Sequence, residues 1–372
     1  MIKAVDYLCA MTNQNPLPAF ASGEGLCASL DAFIWKAAPE ISAVFVLTDT
    51  NTRRECLPLL QHCDCMEEAT ILEMKPGEEH KDLYTCIGLW RQLAENGADR
   101  QSLLINLGGG VVTDLGGFVA AGFKRGIRFI HIPTSLMAMV DASGGGKTGV
   151  DMDGLKNQIG FFAFPSQILI YTGFLETLGS RHMRAGFAEV IKHGLIADPR
   201  LWEVVLEHNG VLESQDEDGI AFREKIIRRS VEIKYHITSS DPREHGPRKV
   251  LNFGHTIGHA LETWGMEQGS GLSHGEAVAA GMLAESWLSE KKTGFDADAF
   301  RHLIQLVKKL YRLPEIQDED INWLTEIMLH DKKNVGGELR FTLLEKPGKA
   351  LINQVVRIDE VGEALRWLKE QA

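Results

Sequence analysis

The chain has 372 residues, of which 44% are hydrophobic and 24% charged, a composition typical of globular proteins. At roughly 100–200 residues per domain, this length predicts two domains with a core in each. The net charge of −12 at pH 7 argues against a general affinity for nucleic acid or for anionic membranes. No run of about 18 apolar residues and no basic leader stands out, so we expect a cytoplasmic protein without a membrane span.

The six cysteines all lie in the first quarter of the chain. In a cytoplasmic protein they are expected to be reduced thiols rather than disulfides. Cys63 and Cys65 are spaced as two metal ligands could be, but no second cysteine pair lies nearby to complete such a site.

Four short apolar runs in the first half predict buried strands, at residues 43–50, 102–110, 127–133 and 167–172. Helical patterns lie between them, as in residues 81–97, where Gly97 is placed as a helix-ending residue. Strands alternating with helices are typical of a parallel sheet covered by helices. Residues 1–178 are therefore predicted to form an α/β domain with a parallel, Rossmann-like sheet.

Helical periodicity dominates after residue 178. The predicted helices cover residues 181–198, 221–237, 250–265, 275–292 and 296–313. Only residues 339–345 indicate a late strand or hairpin. Residues 179–372 are therefore predicted to form a second, mostly α-helical domain.

Glycines 108–110 follow a predicted strand and precede a predicted helix. Backbone amides at such a turn can approach a diphosphate, although a plain strand-to-helix turn has the same appearance. Asp49, at the end of another strand, could bind a ribose hydroxyl or form an Asx turn with Asn51. Glu78 and Lys81 follow in a loop that by itself indicates only a solvated segment.

The segment "VDASGGGKTGVDMDGLKNQIG" (140–160) is rich in glycine and contains Asp141, Lys147, Lys156 and Asn157. We predict a long irregular loop, and such loops in compact domains tend to be functional. Lysines in this setting suit a phosphate or a carboxylate. The letters GGGKT resemble the end of a P-loop, but Asp141 occupies the position of its first glycine, which argues against a nucleotide triphosphatase.

His255 and His259 are four residues apart on a predicted helix, and His274 begins the next one. With a carboxylate they would suit a catalytic zinc ion that keeps open positions for substrate. Spacing does not choose among Glu189, Glu262 and Glu276 as that carboxylate. The alternative is a surface ion pair between Glu189 and Lys192 together with solvated histidines. The pattern is not HExxH, which disfavours a zincin protease.

Taken in order, the motifs resemble the 3-dehydroquinate synthase family. They are "LGGGVVTDLGGFVAAGFKRGIRFIHIPTSLMAMVDASGGGKTGVDMDGLKNQIG", "GFAEVIKHG", "RKVLNFGHTIGHALE", "LSHGEAV" and "DKKN". The similarity is nearly continuous over residues 44–290, and the first 40 residues carry little of it.

The resemblance implies an NAD-binding α/β domain followed by a helical domain that binds Zn²⁺ or Co²⁺. It implies conversion of 3-deoxy-D-arabino-heptulosonate 7-phosphate (DAHP) to 3-dehydroquinate and phosphate, a step of the shikimate pathway. NAD is used catalytically in this reaction: an alcohol is oxidised, phosphate leaves, and the ketone is reduced again. The phosphate of the substrate can act as the base, so no dedicated protein base is required.

The resemblance also implies residue roles. The metal ligands would be Glu189, His255 and His274, so that His259 faces the substrate instead. NAD contacts would be Asp49, Asn51, Glu78, Lys81, Gly109, Gly110, Asp114, Thr134 and Ser135. Substrate groups would be Asp141, Lys147, Lys156, Asn157, Lys192, Lys234, Arg248, Asn252, His259 and Lys332, with Lys333 as the alternative to Lys332. Arg125 would be lent across the interface of a homodimer.

Three other functions stay open at this point. A sister sugar-phosphate cyclase would act on sedoheptulose 7-phosphate or glucose 6-phosphate, which lack the carboxylate; Lys234, Arg248 and Asn252 favour a carboxylated substrate. A metal-dependent polyol dehydrogenase would not need the lysines of residues 140–160, and an anion-binding module would not need metal ligands. Gly144 and Ser135 depart from the usual family pattern, and the stretch "TWGMEQGSGLSHG" (263–275) between the metal histidines is slightly long.

Overall fold

The computed structural model describes residues 15–21, 25–37, 40–152, 155–330 and 339–372. The chain divides into two compact units. The first comprises residues 1–179 together with 234–243, and the second comprises residues 180–233 and 244–372. The first break lies next to the boundary predicted after residue 178. Residues 234–243, which were predicted to belong to the helical domain, group with the first unit instead.

A parallel sheet of six strands forms the centre of the first unit. The strands of this unit are β1 (Ala19–Phe20), β2 (Val44–Asp49), β3 (Thr70–Met74), β4 (Leu103–Gly108), β5 (Arg128–Pro133), β6 (Lys147–Met152), β7 (Leu155–Phe162) and β8 (Gln167–Ile170). The sheet has the order β1-β8-β5-β4-β2-β3, and every neighbouring pair runs parallel. The four predicted strands are β2, β4, β5 and β8, so the predicted parallel α/β sheet is confirmed. The short strands β1 and β3 were not predicted.

The helices of the first unit connect these strands. They are α1 (Gly25–Ala37), α2 (Thr50–Glu55), α3 (Leu83–Glu95) and α4 (Gly110–Gly122). Asp82 caps α3 by accepting a hydrogen bond from the Thr85 amide at 2.7 Å. Buried side chains of the helices and of the sheet, such as Phe118 and Phe129, share one hydrophobic core. This core holds the carboxyl ends of β2, β4 and β5 side by side.

The glycine-rich segment 140–160 is more regular than we predicted. A π-helical turn (Ala138–Ala142) leads into an antiparallel hairpin formed by β6 and β7. The expectation of an irregular loop is therefore wrong for most of this segment. Few of its residues are apolar, so the alternation that normally identifies a strand is missing, although the backbone pairs along both strands.

The second unit is mostly helical, as predicted. Its helices are α5 (Ser180–Ala197), α6 (Pro199–His208), α7 (Glu217–Ser240), α8 (His255–Glu267), α9 (His274–Thr293), α10 (Ala297–Leu310), α11 (Asp318–His330) and α12 (Ile358–Lys369), and the end of α7 groups with the first unit. The late strand signal is a hairpin of β9 (Leu339–Lys346) and β10 (Lys349–Val356). Within the described ranges, none of the helices has both the length and the apolar character needed to cross a bilayer.

The helix predicted over residues 250–265 starts later than expected. A 3-10 turn (Pro247–Asn252) comes first, and α8 begins at His255. Gly254 between them has φ +78°, a left-handed conformation that interrupts the helical pattern. His255 is consequently in the first turn of α8.

Cys27 and Cys63 form a disulfide in the first unit, with their Cα atoms 4.6 Å apart. The expectation of reduced thiols is therefore wrong for this pair. The two residues are 36 positions apart, so spacing along the chain gave no indication of the pairing. Cys56, Cys65 and Cys86 are free thiols, and burial raises the pKa of each to about 12.

Candidate functional site

Three histidine rings lie together at the beginnings of α8 and α9. The centroid of the His255 ring is 5.2 Å from that of His259 and 5.5 Å from that of His274. Ser273 caps α9 in a capping box with Glu276, which fixes His274 as the first residue of that helix. The local sequence therefore places His255 and His274 each at the first position of a helix, where backbone hydrogen bonds fix the position of the Cα atom.

Glu189 on α5 completes this cluster with a carboxylate. Its carboxylate is fully buried, and Oε1 lies 3.4 Å from Nε2 of His255 and 3.6 Å from Nε2 of His274. The donor atoms of the three residues all lie within 4.8 Å of one another. A tetrahedral ion with bonds of about 2.0–2.1 Å holds its donor atoms about 3.4 Å apart. The geometry therefore fits a divalent metal bound by one carboxylate and two imidazoles.

The other ring nitrogens of these two histidines are held by hydrogen bonds. Nδ1 of His255 lies 3.1 Å from the carbonyl oxygen of Phe253, and Nδ1 of His274 lies 3.2 Å from Oε2 of Glu262. With Nδ1 engaged in each ring, Nε2 is the nitrogen that faces Glu189 and that would bind a metal ion once it carries no proton. This is the usual arrangement around a protein metal ion, in which second partners orient the ligating histidines.

The three carboxylates that spacing alone could not separate differ in their surroundings. Glu276 accepts a hydrogen bond from the Ser273 amide at 2.7 Å and pairs with Arg181 at 2.6 Å. Glu262 forms a second candidate set with His259 and His274, but it contacts His274 through Nδ1. His274 faces Glu189 through Nε2 and Glu262 through Nδ1, so each of the two candidate sets uses a different nitrogen of this ring. The set that contains Glu189 also contains His255. These contacts favour Glu189 as the carboxylate ligand, with Glu262 as the residue that orients the His274 ring.

Glu189 and Lys192 form an ion pair in which both side chains are buried, so their interpretation as a solvated surface pair is wrong. Burial opposes ionisation of Glu189, but Lys192 and His255 outweigh it and hold its pKa well below the usual value. Burial and Lys192 lower the pKa of His255. For His274, burial is outweighed by Glu189 and Glu262, which raise its pKa to about 10. Metal binding at this cluster would therefore displace a proton from His274.

Further cations of the second unit come from the predicted substrate set. Lys192 and Arg248 are nearly fully buried. Asn252 donates from Nδ2 to Oε1 of Glu244 at 2.8 Å. Sequence reasoning missed Glu244, whose backbone is left-handed with φ +58°. The segment "DPREHG" around it has no periodicity, so only its position between α7 and the 3-10 turn could have drawn attention to it.

In the first unit, the structure brings together several residues to which the family resemblance assigns different roles. Lys81 is buried, and its Nζ lies 2.7 Å from Oδ2 of Asp114 and 2.9 Å from Oδ1 of Asn157. Burial opposes the charge of Lys81, but Asp114 and Glu78 outweigh it and raise its pKa. Lys156 pairs with Glu78 at 3.2 Å. These ion pairs join the segment after β3, helix α4 and the β6–β7 hairpin.

Asp141 and Lys234 form another ion pair in the first unit. Asp141 lies in the π-helical turn, and Lys234 is the first residue of the segment 234–243 that groups with this unit. Lys147 is exposed at the first position of β6. A Cβ at Gly144 would have only ordinary contacts, the nearest at 3.7 Å from Cγ of Lys234. Lack of space for a side chain is therefore not the reason why glycine occupies position 144, where the family usually has an aliphatic residue.

The remaining predicted nucleotide contacts lie where parallel strands end. Asp49 ends β2, Gly109 is the N-cap of α4 after β4, and Thr134 follows β5. The Thr134 amide donates to the Gly108 carbonyl at 3.0 Å, which fixes neighbouring turns against each other. Asp49 caps α2 through the Thr52 amide at 2.8 Å, rather than forming a turn with Asn51. Ligands of such sheets bind at this carboxyl edge.

The other predicted residues complete this description. Gly110 is the first residue of α4, Asn51 is exposed on α2, and Ser135 accepts a hydrogen bond from the Ala138 amide. Arg125 is exposed on a turn with φ +71°. Lys332 and its alternative Lys333 lie outside the described residues.

The substitution Glu262→Gln is expected to weaken binding of Zn²⁺ by about tenfold, because a neutral amide supports the His274 ring less strongly than a carboxylate. The measurement is competition for Zn²⁺ between the metal-free protein and a chromogenic chelator. Glu276→Gln is the matched control, since Glu276 caps α9 beside His274 but is turned towards Arg181. Equal affinities of wild type and Glu262→Gln would contradict the supporting role.

Comparison with known proteins gives consistent results. The family model described as 3-dehydroquinate synthase N-terminal matches residues 71–185, and the model described as 3-dehydroquinate synthase C-terminal matches residues 186–334. The chain is 42% identical to the 3-dehydroquinate synthase of Parabacteroides distasonis over 88% of this chain and 91% of that protein.

Two solved structures share the fold at 24% identity. One is ValA, the 2-epi-5-epi-valiolone synthase of Streptomyces hygroscopicus with NAD⁺ and Zn²⁺ bound, with a TM-score of 0.81 and all of both chains covered. The other is 2-deoxy-scyllo-inosose synthase complexed with carbaglucose-6-phosphate, NAD⁺ and Co²⁺, with a TM-score of 0.80, covering 96% of this chain and 99% of that chain. The matching family models and the 42% identity over most of both sequences show that the chain belongs to the 3-dehydroquinate synthase family.

Proposed function

We propose that this chain is an enzyme that converts DAHP to 3-dehydroquinate and inorganic phosphate, using NAD and a divalent metal ion, in the shikimate pathway. The observation that carries the proposal is the identity of 37–43% to proteins named 3-dehydroquinate synthase, over three quarters or more of this chain. One carbon–oxygen bond to phosphate is broken by elimination, and the oxidation and reduction of the sugar carbon cancel. The reaction is therefore that of a carbon–oxygen lyase.

Glu189, His255 and His274 are the proposed ligands of Zn²⁺ or Co²⁺. Their support is the donor set itself, together with the partners that orient both Nε2 atoms. When bound, the metal polarises a substrate alcohol, while NAD accepts and returns the hydride of that carbon. The hydrogen bonds at both Nδ1 atoms hold the two imidazoles in one orientation, so that substrate oxygens would find the same coordination geometry in each turnover.

The carboxyl edge of the sheet in the first unit is the proposed NAD site. Residues that lie along it are Asp49, Asn51, Glu78, Lys81, Gly109, Gly110, Asp114, Thr134 and Ser135. Helix α4 begins there, and its free backbone amides and dipole favour the diphosphate of a dinucleotide. The ion pair of Lys81 with Asp114 and its hydrogen bond to Asn157 keep this edge in one conformation.

The proposed substrate groups are mainly cations, although the chain is acidic overall. They are Asp141, Lys147, Lys156, Asn157, Lys192, Lys234, Arg248, Asn252, His259 and the undescribed Lys332. A dianionic phosphate and a carboxylate on one substrate explain why so many cations are needed. These cations would also offset the charge that develops as phosphate leaves. The substrate of a sister cyclase lacks the carboxylate, and a polyol lacks both the carboxylate and the phosphate. Both alternative functions are therefore less well supported.

We also propose a homodimer in which Arg125 serves the neighbouring subunit. Support comes from the exposure of Arg125 on its turn. Further support comes from Met152, Phe161 and Phe162 on the β6–β7 hairpin, which are 43%, 44% and 53% exposed. Exposed apolar side chains on one element are typical of an interface. The cytoplasmic location expected from the sequence stays a prediction.

The proposed function is tested by supplying DAHP, NAD⁺ and Zn²⁺ or Co²⁺ and following phosphate release together with NADH absorbance. Phosphate release without accumulation of NADH is expected, because the hydride returns to the substrate within each turnover. Accumulation of NADH on polyols, with DAHP unchanged, would instead indicate a dehydrogenase. Phosphate release only from a sugar phosphate without a carboxylate would indicate a sister cyclase.

Replacing Lys147 by alanine is expected to abolish phosphate release while leaving the fold and NAD affinity nearly unchanged, because an exposed lysine contributes charge rather than packing. Steady-state phosphate release, NAD binding and thermal unfolding are the measurements. Lys349→Ala is the matched control, since Lys349 is also an exposed lysine at the first position of a hairpin strand. If Lys147→Ala retained full turnover, Lys147 would be removed from the substrate site.

His259→Ala and His274→Ala are expected to separate the two roles of the histidine cluster. His274→Ala should lose tightly bound metal, since its Nε2 belongs to the donor set around Glu189. His259→Ala should keep the metal and lose activity. Metal analysis after dialysis gives the result directly. Loss of metal from His259→Ala together with full retention in His274→Ala would restore the simple pairing of His255 with His259.

A further inference from the structure

Glu285 is a fully buried carboxylate that neither the sequence motifs nor the proposed mechanism uses. It lies on α9, eleven residues after His274. Its Oε2 accepts a hydrogen bond from the Gly254 amide at 2.7 Å, and its Oε1 accepts one from the Ile257 amide at 3.1 Å. A buried charge is costly unless hydrogen bonds compensate it, so these contacts determine where the carboxylate can lie.

The first turn of α8 depends on this carboxylate because the residue at its N-cap cannot supply a side chain. Gly254 occupies that position with φ +78°. A Cβ there would lie 2.5 Å from Cγ of Met282 and 3.2 Å from the carbonyl oxygen of Val278. Serine, aspartate and asparagine, the usual N-cap residues, are therefore excluded. Glu285 performs the capping function from a neighbouring helix, and its charge also suits the positive end of the helix dipole.

Helices α8 and α9 are in close contact at this point. A Cβ on Gly281 would overlap the carbonyl oxygen of Gly254 and approach the amide nitrogen of Gly258 to 2.7 Å. The backbone of α8 thus lies directly on α9, one helical turn away from Glu285. This close contact places the Gly254 amide within hydrogen-bond distance of Glu285.

The Gly254 amide belongs to the same planar peptide group as the Phe253 carbonyl. That carbonyl is the acceptor for Nδ1 of His255, at 3.1 Å. Glu285 therefore accepts a hydrogen bond from the N–H of this peptide group. The C=O of the same group accepts one from the imidazole of His255, a proposed metal ligand. Rotation of this peptide plane would break both hydrogen bonds at once. The carboxylate, the peptide group and the ring form one connected chain of hydrogen bonds.

We propose that Glu285 is a positioning residue for His255, acting through the Phe253–Gly254 peptide group; this inference rests on the proposed metal site. By fixing the plane of that peptide, Glu285 fixes the orientation of the His255 ring and the direction of its Nε2 lone pair. Since α9 carries both His274 and Glu285, one helix provides a ligand directly and orients the second ligand indirectly.

The test is the substitution Glu285→Gln, which keeps the shape of the side chain. Its amide group presents N–H donors to one of the two backbone amides, so one hydrogen bond becomes a donor–donor conflict. We expect Zn²⁺ affinity of the folded protein, measured by chelator competition, to fall at least tenfold. The visible absorption spectrum of the Co²⁺-loaded protein should also change, because the coordination geometry around His255 changes.

Glu360→Gln is the matched control. Glu360 caps the first turn of α12 by accepting from the Arg357 amide at 2.7 Å, and it pairs with Lys292. Its substitution removes a capping carboxylate without touching the histidine cluster. It is expected to lower the unfolding temperature while leaving Zn²⁺ affinity and the Co²⁺ spectrum unchanged.

Wild-type Zn²⁺ affinity and an unchanged Co²⁺ spectrum in folded Glu285→Gln would overturn the inference, even if the unfolding temperature fell. Because a buried substitution can prevent folding, the same measurements are made on Glu285→Asp, which keeps the charge but is one methylene shorter. Wild-type affinity and spectrum there would overturn the inference equally. Wild-type protein that binds neither ion would overturn the proposed metal site, and this inference with it.

Discussion

The helical unit depends on keeping the Glu189 carboxylate charged in a place that water does not reach. A buried carboxylate would normally take up a proton, but Lys192, His255 and His274 surround it and favour the anion. The two histidines are held in turn: His255 by a backbone carbonyl, and His274 by Glu262. The cluster is therefore preorganised for a cation, and its members have few alternative conformations in which their charges remain compensated.

In the first unit, the topology of the sheet and the contacts of Lys81 hold the proposed site residues in place. Parallel strands bring the segments that follow β2, β3, β4 and β5 to one edge of the sheet, so residues far apart in sequence become neighbours. Lys81 then ties the loop after β3 to α4 through Asp114 and to the hairpin through Asn157. Residues that the family resemblance assigns to NAD and to substrate thus share one network of ion pairs and hydrogen bonds around the buried Lys81. A change in either set is expected to affect both ligands.

Patterns within one segment were predictable from the sequence, whereas pairings between segments were not. Buried strands and amphipathic helices repeat at fixed periods, which is why β2, β4, β5, β8 and most helices of the second unit were found. The β6–β7 hairpin was missed because its glycines and polar residues lack that alternation. Glu262 could be considered as a ligand from spacing, but its actual contact with His274 required the structure. Glu285 and the Cys27–Cys63 disulfide act across 28 or more residues, and no local signal marks them.

The direct contact of the α8 and α9 backbones has a consequence for the segment that connects them. The stretch 263–275 looked slightly long for the family, yet the proposed ligands on either side are positioned by the contact of Gly254 and Gly258 with Gly281, and by Ser273 at the start of α9. The connection itself contains Gly269 and Gly271, both with left-handed backbones. Its length is thus uncoupled from the geometry of the histidines. Gly271 accepts a hydrogen bond from Arg181, whereas a Cβ at Gly269 would meet open space, so an insertion beside the histidine cluster is expected to be best tolerated at Gly269.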